Sequence, residues 1–377
     1  MDFSPVAQYM QKLTERGVPG CDIIITRGHE RLCRYSCGYA DREGKRPVAP
    51  TDLYRLYSCT KPVTVTAAMQ LVERGLLDPD APVADYLPAY AHVRVLKDGG
   101  AVPAERVMRV RHLFTMSAGM DYDVDAAPIR RVLEETGNRA TTRQIVDAMA
   151  EKPLLFEPGE RFQYSLCHDV LGGVIEAASG KTLGAYLREN IFDPLGMRDS
   201  VLHVTEETAG RLSDRWHYIP ETGEIRLEPR GDGFTIGEVY ESGGGSLVCT
   251  LDDYARFADA MACGGMGATG ERILSPATID LMRTEQLTSL LDDPSFGCAA
   301  GPGYGYGMGV RTLTDLSVTA RAPRGEFGWD GAGGVDILID PDNGISMVFA
   351  MHVLRWNLML GYVHHDLREL VYAAVMG

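Results

Sequence analysis

The 377-residue sequence predicts an α+β fold: an antiparallel sheet flanked by helices in an α/β sandwich, with a mostly helical domain inserted between the sheet's two contributing stretches. Three observations carry this. Strand-like runs separated by turn residues lie near both ends, at 21–39 and 335–352. The middle, roughly 76 to 230, has helical periodicity and few strand signals. A final segment sets Val363, Leu367, Leu370, Val371 and Ala374 on one helical face. The sheet-centred domain is therefore expected at 1–75 and 231–377, and the inserted domain at 76–230.

Residues 3–16 read as a short amphipathic helix stopped by Gly17. The run CDIIIT at 21–26 is apolar and β-branched, and Arg27-Gly28-His29-Glu30 supplies a turn. Cys33, Tyr35, Cys37 and Tyr39 then alternate as in a half-buried strand. From 58 to 74 the pattern turns helical, with Val65, Met69 and Val72 spaced three and four apart. Pro62 sits in the first turn, and Gly75 is the stop. Further helices are expected over 142–151, 168–179 and 183–191. At the far end, 335–339 and 345–352 flank the turn Asp340-Pro341-Asp342-Asn343-Gly344 and form a second hairpin.

Composition narrows the function classes. A net charge of −15 makes nucleic acid or an anionic membrane surface an unfavourable partner. No apolar run approaches the roughly 18–20 residues of a membrane span. The start, Met1-Asp2-Phe3-Ser4-Pro5, lacks the basic and apolar regions of a signal peptide, so a cytoplasmic protein is expected. The eight cysteines, at 21, 33, 37, 59, 167, 249, 263 and 298, show no CxxC pair and no zinc spacing. They read as reduced, buried thiols, and neither metal nor cofactor is expected.

The chemistry lies at Ser58-Cys59-Thr60-Lys61, an S-x-x-K element opening a helix. Positions three apart share a helix face, so the lysine amine can reach the serine hydroxyl. The helix N-terminus favours developing negative charge. A desolvated lysine loses basicity and can act as general base near neutral pH, a known way of activating serine. Chance alone supplies about 0.24 such spacings in this composition, and an N-capping serine with a solvated lysine is the plain alternative.

The surrounding residues add specificity. LYRLYSCTKP (53–62) resembles the nucleophile segment of class C β-lactamases, D,D-peptidases and related esterases. RHLFTMSAGM (111–120), FEPGERFQYS (156–165), PLGM (194–197) and GGGSLVCTLDDYARF (243–257) resemble further blocks of that superfamily in the same order. The resemblance implies a β-lactamase/transpeptidase-like fold with Ser58 as nucleophile and Lys61 as its base. It implies that Tyr164 is a second base or proton relay; read alone, Tyr164 would be a core tyrosine. The family's third box corresponds to Trp329-Asp330-Gly331-Ala332-Gly333-Gly334. The N–H groups of Ser58 and Ala332 would then form the oxyanion hole.

Two departures matter. Trp329 stands where the box carries Lys or His, and Leu166 stands where an Asn follows the Tyr. An indole cannot pair with a substrate carboxylate, and Asp330 beside it would repel one. Trp329, Asp330, Gly331 and Leu166 are therefore expected to line an apolar substrate pocket. The variants look like the esterase branch, family VIII carboxylesterases and similar acyltransferases, which implies a small-molecule ester substrate with an uncharged acyl group. A β-lactamase, D,D-peptidase or D-aminopeptidase remains the alternative enzyme, and a catalytically silent ligand-binding relative the alternative of another class.

Other residues point elsewhere. His364 and His365, beside Asp366, read as a solvated helix face. His168 and Asp169 follow Tyr164 and could flank the site, with a helix-start role favoured for Asp169. Asp121, Asp123 and Asp125 lack the glycine and terminal Glu of a calcium loop. The glycine-rich run 303–309 reads as a strand packed closely against a neighbour.

Overall fold

The run CDIIIT folds as strand β1 (Gly20–Arg27), buried on both faces, which is why its apolar residues do not alternate with polar ones. A two-residue turn at Gly28 and His29, with φ of 58° and 70°, reverses it into β2 (Glu30–Gly38). The computed structural model describes residues 1–228, 236–287, 302–356 and 358–377; Cys298 lies outside the described residues. Strand β3 (Leu53–Arg55) leads through a 3-10 turn, Tyr57–Cys59, into the Thr60–Glu73 helix. The hairpin β4 (Arg94–Lys97) and β5 (Gly100–Pro103) follows, then the helices Thr142–Met149 and Cys167–Ser179. Next come the hairpin β6 (Trp216–Ile219) and β7 (Glu224–Leu227), and β8 (Val248–Thr250), which runs into the Leu251–Ala262 helix. The last third supplies β9 (Tyr304–Tyr306), β10 (Arg311–Leu313), β11 (Phe327–Gly331), β12 (Val335–Asp340), β13 (Ile345–Ala350) and β14 (Val353–Leu354). The His365–Met376 helix ends the chain.

Among the described residues, seven strands form one antiparallel sheet in the order β2-β1-β13-β12-β11-β10-β9. The first and last parts of the chain meet at β1 and β13, with Asp22 opposite Ala350 and Thr26 opposite Ser346. Strand alternation divides the core in two. Ile23, Ile25, Leu338 and Phe349 pack against Val6 and Met10 of the first helix and Leu367 and Val371 of the last. On the other face Ile24, Ile337 and Val348 pack with Val63, Val65 and Phe257, from the Thr60–Glu73 and Leu251–Ala262 helices. The expected sheet flanked by helices is thus the observed fold.

The Thr60–Glu73 helix is buried on every side from Thr60 to Leu71, so it lacks a polar stripe. Its Gln70 amide finds partners inside, donating to the carbonyls of Asn190 and Ile273 at 2.9 Å each. Gly75, at φ 68°, ends it as expected. The 76–230 stretch holds more strand than its sequence suggests. The hairpins β4–β5 and β6–β7 have strands of only four residues and are at most partly buried, so they carry no long apolar run. Among the described residues no helix is long and apolar enough to cross a membrane.

Candidate active site

Ser58 sits in the tight turn that opens the Thr60–Glu73 helix, where the chain is strained. Tyr57, just before it, has φ 48°, a left-handed conformation unusual for an aromatic residue. Two contacts hold it there. The Arg215 guanidinium donates to the Tyr57 hydroxyl at 3.3 Å, and the ring lies so close to Gly333 that a Cβ there would meet it at 2.9 Å. This bend turns the Ser58 hydroxyl into a cleft of about 210 Å³.

Lys61 is fully buried one helical turn on. Its ammonium donates to Ser58 Oγ at 3.1 Å and to the Gly244 carbonyl at 2.8 Å. Tyr164, from the loop before the Cys167–Ser179 helix, donates its hydroxyl to the same Ser58 Oγ at 2.6 Å. Helix spacing and loop placement thus bring Ser58, Lys61 and Tyr164 to one point. The Tyr164 ring is held between two others, Tyr122 at 5.4 Å and Trp329 at 5.8 Å between centroids.

The electrostatics bear on the role of Lys61. Burial alone would lower the Lys61 pKa, but Tyr122, Tyr164 and Asp169 around it outweigh burial and push it up. Asp169 is the buried counter-charge. One of its oxygens accepts from Tyr240 at 2.6 Å and Ser242 at 2.5 Å. The other has no hydrogen-bond partner. This carboxylate lines the cleft rather than merely starting a helix. Neighbouring groups are muted. Burial raises the Cys59 thiol well above its ordinary range, and burial, with Lys61, lowers His168 to about 3. The Tyr122 phenol is pushed up to about 12 by burial, against the pull of Lys61.

The third-box residues divide. Ala332 and Leu166 line the cleft; Trp329, Asp330 and Gly331 do not. Trp329 is buried behind Tyr164, edge-on to Tyr306 at 5.3 Å. Asp330 points to the opposite face of β11, as strand alternation requires. There it meets Arg311 at 3.1 Å and His364 at 2.5 Å. Burial would raise its pKa, but these two partners hold it below the usual carboxylate range. Its charge is spent inside the fold, so it cannot repel a ligand in the cleft. His364 is accordingly a buried partner and not part of a solvated face; only His365 keeps substantial exposure. Gly331 serves a close backbone approach of another kind: a Cβ there would meet the Leu56 carbonyl at 2.4 Å, so glycine lets β11 lie against the segment leading to Ser58.

Asp121 and Asp123 are drawn to Lys152 at 2.6 and 2.8 Å, and Asp125 to Arg130 at 2.9 Å, so the three form ion pairs and not a cation loop. Tyr122 between them is the main site residue the sequence reading missed. The remaining cleft walls include Tyr57, Val124, Ile236 and Gly245, which are mostly apolar. A larger recess of about 450 Å³, with Arg55, His203 and Glu238, adjoins it across Tyr57, Ser242 and Gly245.

A family model described as Beta-lactamase matches residues 6–365. Esterase EstB of Burkholderia gladioli is 31% identical, over 97% of this chain and 94% of its own length. Monacolin J acid methylbutanoyltransferase of Aspergillus terreus is 26% identical over 93% of this chain and 90% of its own. The solved structure of EstCE1, described as a hydrolase with promiscuous acyltransferase activity, matches with a TM-score of 0.77 at 28% identity. It covers 99% of this chain and 97% of that one.

Proposed function

The chain belongs to the Beta-lactamase family, and from that premise we propose that it is a serine hydrolase of the esterase and acyltransferase branch, forming an acyl-enzyme on Ser58. The observation that carries this reading is the convergence of two donors, Tyr164 at 2.6 Å and Lys61 at 3.1 Å, on one serine hydroxyl in a largely apolar cleft. Relatives named as an esterase and an acyltransferase support the same chemistry.

In the proposed mechanism the Lys61 ammonium stabilises the negative charge that develops as Tyr164 relays the Ser58 proton, while Oγ attacks the ester carbonyl. The N–H groups of Ser58 and Ala332 receive the developing oxyanion. The carbon–oxygen bond to the alcohol breaks, and Tyr164 returns the proton to the leaving alkoxide. Water or a second alcohol then attacks the acyl-enzyme, its proton passes through Tyr164 to the departing Ser58 Oγ, and the free enzyme is restored. Leu166, Val124 and Ile236 in the cleft wall favour an uncharged acyl group.

The test is hydrolysis of p-nitrophenyl butyrate with a chromogenic cephalosporin in parallel, each by wild type and Ser58→Ala. Ester turnover that vanishes in the variant, with little cephalosporin cleavage, is expected. Fast cephalosporin turnover with poor ester cleavage would instead make the chain a β-lactamase in activity. Adding a small alcohol then measures how the acyl group divides between water and acceptor.

A further inference from the structure

Outside the Ser58 cleft, the fold brings together three ligand types that the sequence separates. His29 lies at the β1–β2 turn, while Asp259 and Cys263 lie on and just beyond the Leu251–Ala262 helix. Asp259 and Cys263 are four apart, hence on one helix face. The ligand atoms of all three lie within 4.8 Å of one another. We propose that His29 Nδ1, an Asp259 carboxylate oxygen and Cys263 Sγ bind one divalent ion of the zinc and cobalt class, fastening the turn to the helix end.

The turn itself is the first support. A two-residue hairpin turn with positive φ at both central positions favours glycine or asparagine. Here the second position is histidine at φ 70°, a conformation that costs free energy for a side chain with a Cβ. The residue is held by Asp259 twice: its N–H donates to one carboxylate oxygen at 3.1 Å, and Nδ1 lies 2.7 Å from the other. This aims the imidazole at the Asp259–Cys263 pair.

The donor set is the second support. Imidazole, thiolate and carboxylate together suit zinc or cobalt, whereas calcium and magnesium take oxygen ligands. One thiolate and one carboxylate balance a divalent charge. Binding releases the Cys263 thiol proton to solvent and leaves the His29 proton on Nε2. The backbone N–H groups of Gly28 and His29 reach the Cys263 sulfur and favour its anionic form, although burial and Asp259 raise the unliganded thiol to about 11. Among the described residues, Asp259 has His29 as its ion-pair partner and no Lys or Arg. The comparable trio Asp330, Asp336 and His364 differs here, because Arg311 and Arg368 already compensate it and would repel a cation.

The experiment titrates the reduced full-length protein with Co²⁺ and follows thiolate-to-cobalt charge-transfer absorption in the near ultraviolet. His29→Gly suits the turn and should fold, while Cys37→Ser controls for the neighbouring Cys21–Cys37 pair, whose sulfurs are 3.5 Å apart. The expected result is a one-to-one band in wild type and Cys37→Ser. It should be absent in Cys263→Ser, with affinity lowered at least roughly tenfold in His29→Gly. No band in wild type, a band lost in Cys37→Ser, or wild-type affinity in either ligand variant overturns the proposal.

Discussion

Tyr122 and Tyr164 lie face to face, their ring centroids 5.4 Å apart and their planes 11° from parallel. The Lys61 ammonium sits beside both rings, 4.9 Å from the centre of Tyr164 and 5.5 Å from that of Tyr122. With Trp329 behind, Tyr164 has little freedom to swing its hydroxyl away from Ser58. The aromatic stack therefore aligns the proton transfer.

Replacing Tyr122 separates the ring from its hydroxyl. Tyr122→Phe keeps the stack and should lower kcat/KM for p-nitrophenyl butyrate by less than about tenfold. Tyr122→Ala frees Tyr164 and should cost about 10²-fold, the scale expected when a reacting group is misplaced. Equal losses in the two variants would mean that the hydroxyl, not the stack, matters.

Lys61→Ala should lower kcat by about 10² to 10⁴-fold. Because its surroundings raise the Lys61 pKa above the ordinary value, the ammonium persists throughout the neutral and mildly alkaline range. Nitrogen NMR of Lys61 should accordingly show no titration between about pH 6 and 9. A midpoint inside that window would restore Lys61 as a neutral base.

Gly244 gives Lys61 its carbonyl acceptor and leaves room beside Asp169. A Cβ at this position would meet Asp169 Oδ2 at 2.4 Å and approach Lys61 Nζ at 3.4 Å. Gly244→Ala should therefore cut ester turnover at least about tenfold through misplacement of these charges, with an unchanged far-ultraviolet circular dichroism spectrum.

Stability should fall on acidification through buried neutral histidines. His352 donates from Nδ1 to the Ser213 carbonyl and accepts the Arg55 N–H at Nε2, both at 3.0 Å. Burial, with Arg55 and Arg215, lowers its pKa to about 4. The unfolded chain binds the proton more readily, so this contribution is complete above about pH 6.5 and lost as pH falls through 4. It is on the order of 3 kcal/mol. His352→Asn tolerates the φ of 53° and cannot titrate. It should melt lower at pH 7 yet lose less on acidification than wild type; equal slopes would contradict the assignment.

Local signals made the central parts of the fold readable. The β-branched run of β1 and the S-x-x-K spacing need only neighbouring residues to be interpreted, and both met their expected elements. What the sequence hid depends on distant packing. Asp330 looks like a cleft residue until strand alternation carries it to Arg311, and His364 looks solvated until the end of the chain folds onto Asp330. Tyr122 is masked by the three aspartates around it, whose partners Lys152 and Arg130 are known only from the fold. The surroundings of Lys61 are hidden for the same reason: burial is inferable from an apolar helix, but the tyrosines and Asp169 that outweigh it come from other segments.

The most direct test of the central claim is intact-mass spectrometry of protein quenched during p-nitrophenyl butyrate turnover, followed by peptide mapping. The account predicts one butyryl group on the Ser58 peptide of wild type, accumulating in Lys61→Ala only slowly and absent from Ser58→Ala. Ester turnover with the acyl group on another residue, or undiminished turnover by Ser58→Ala, would contradict it.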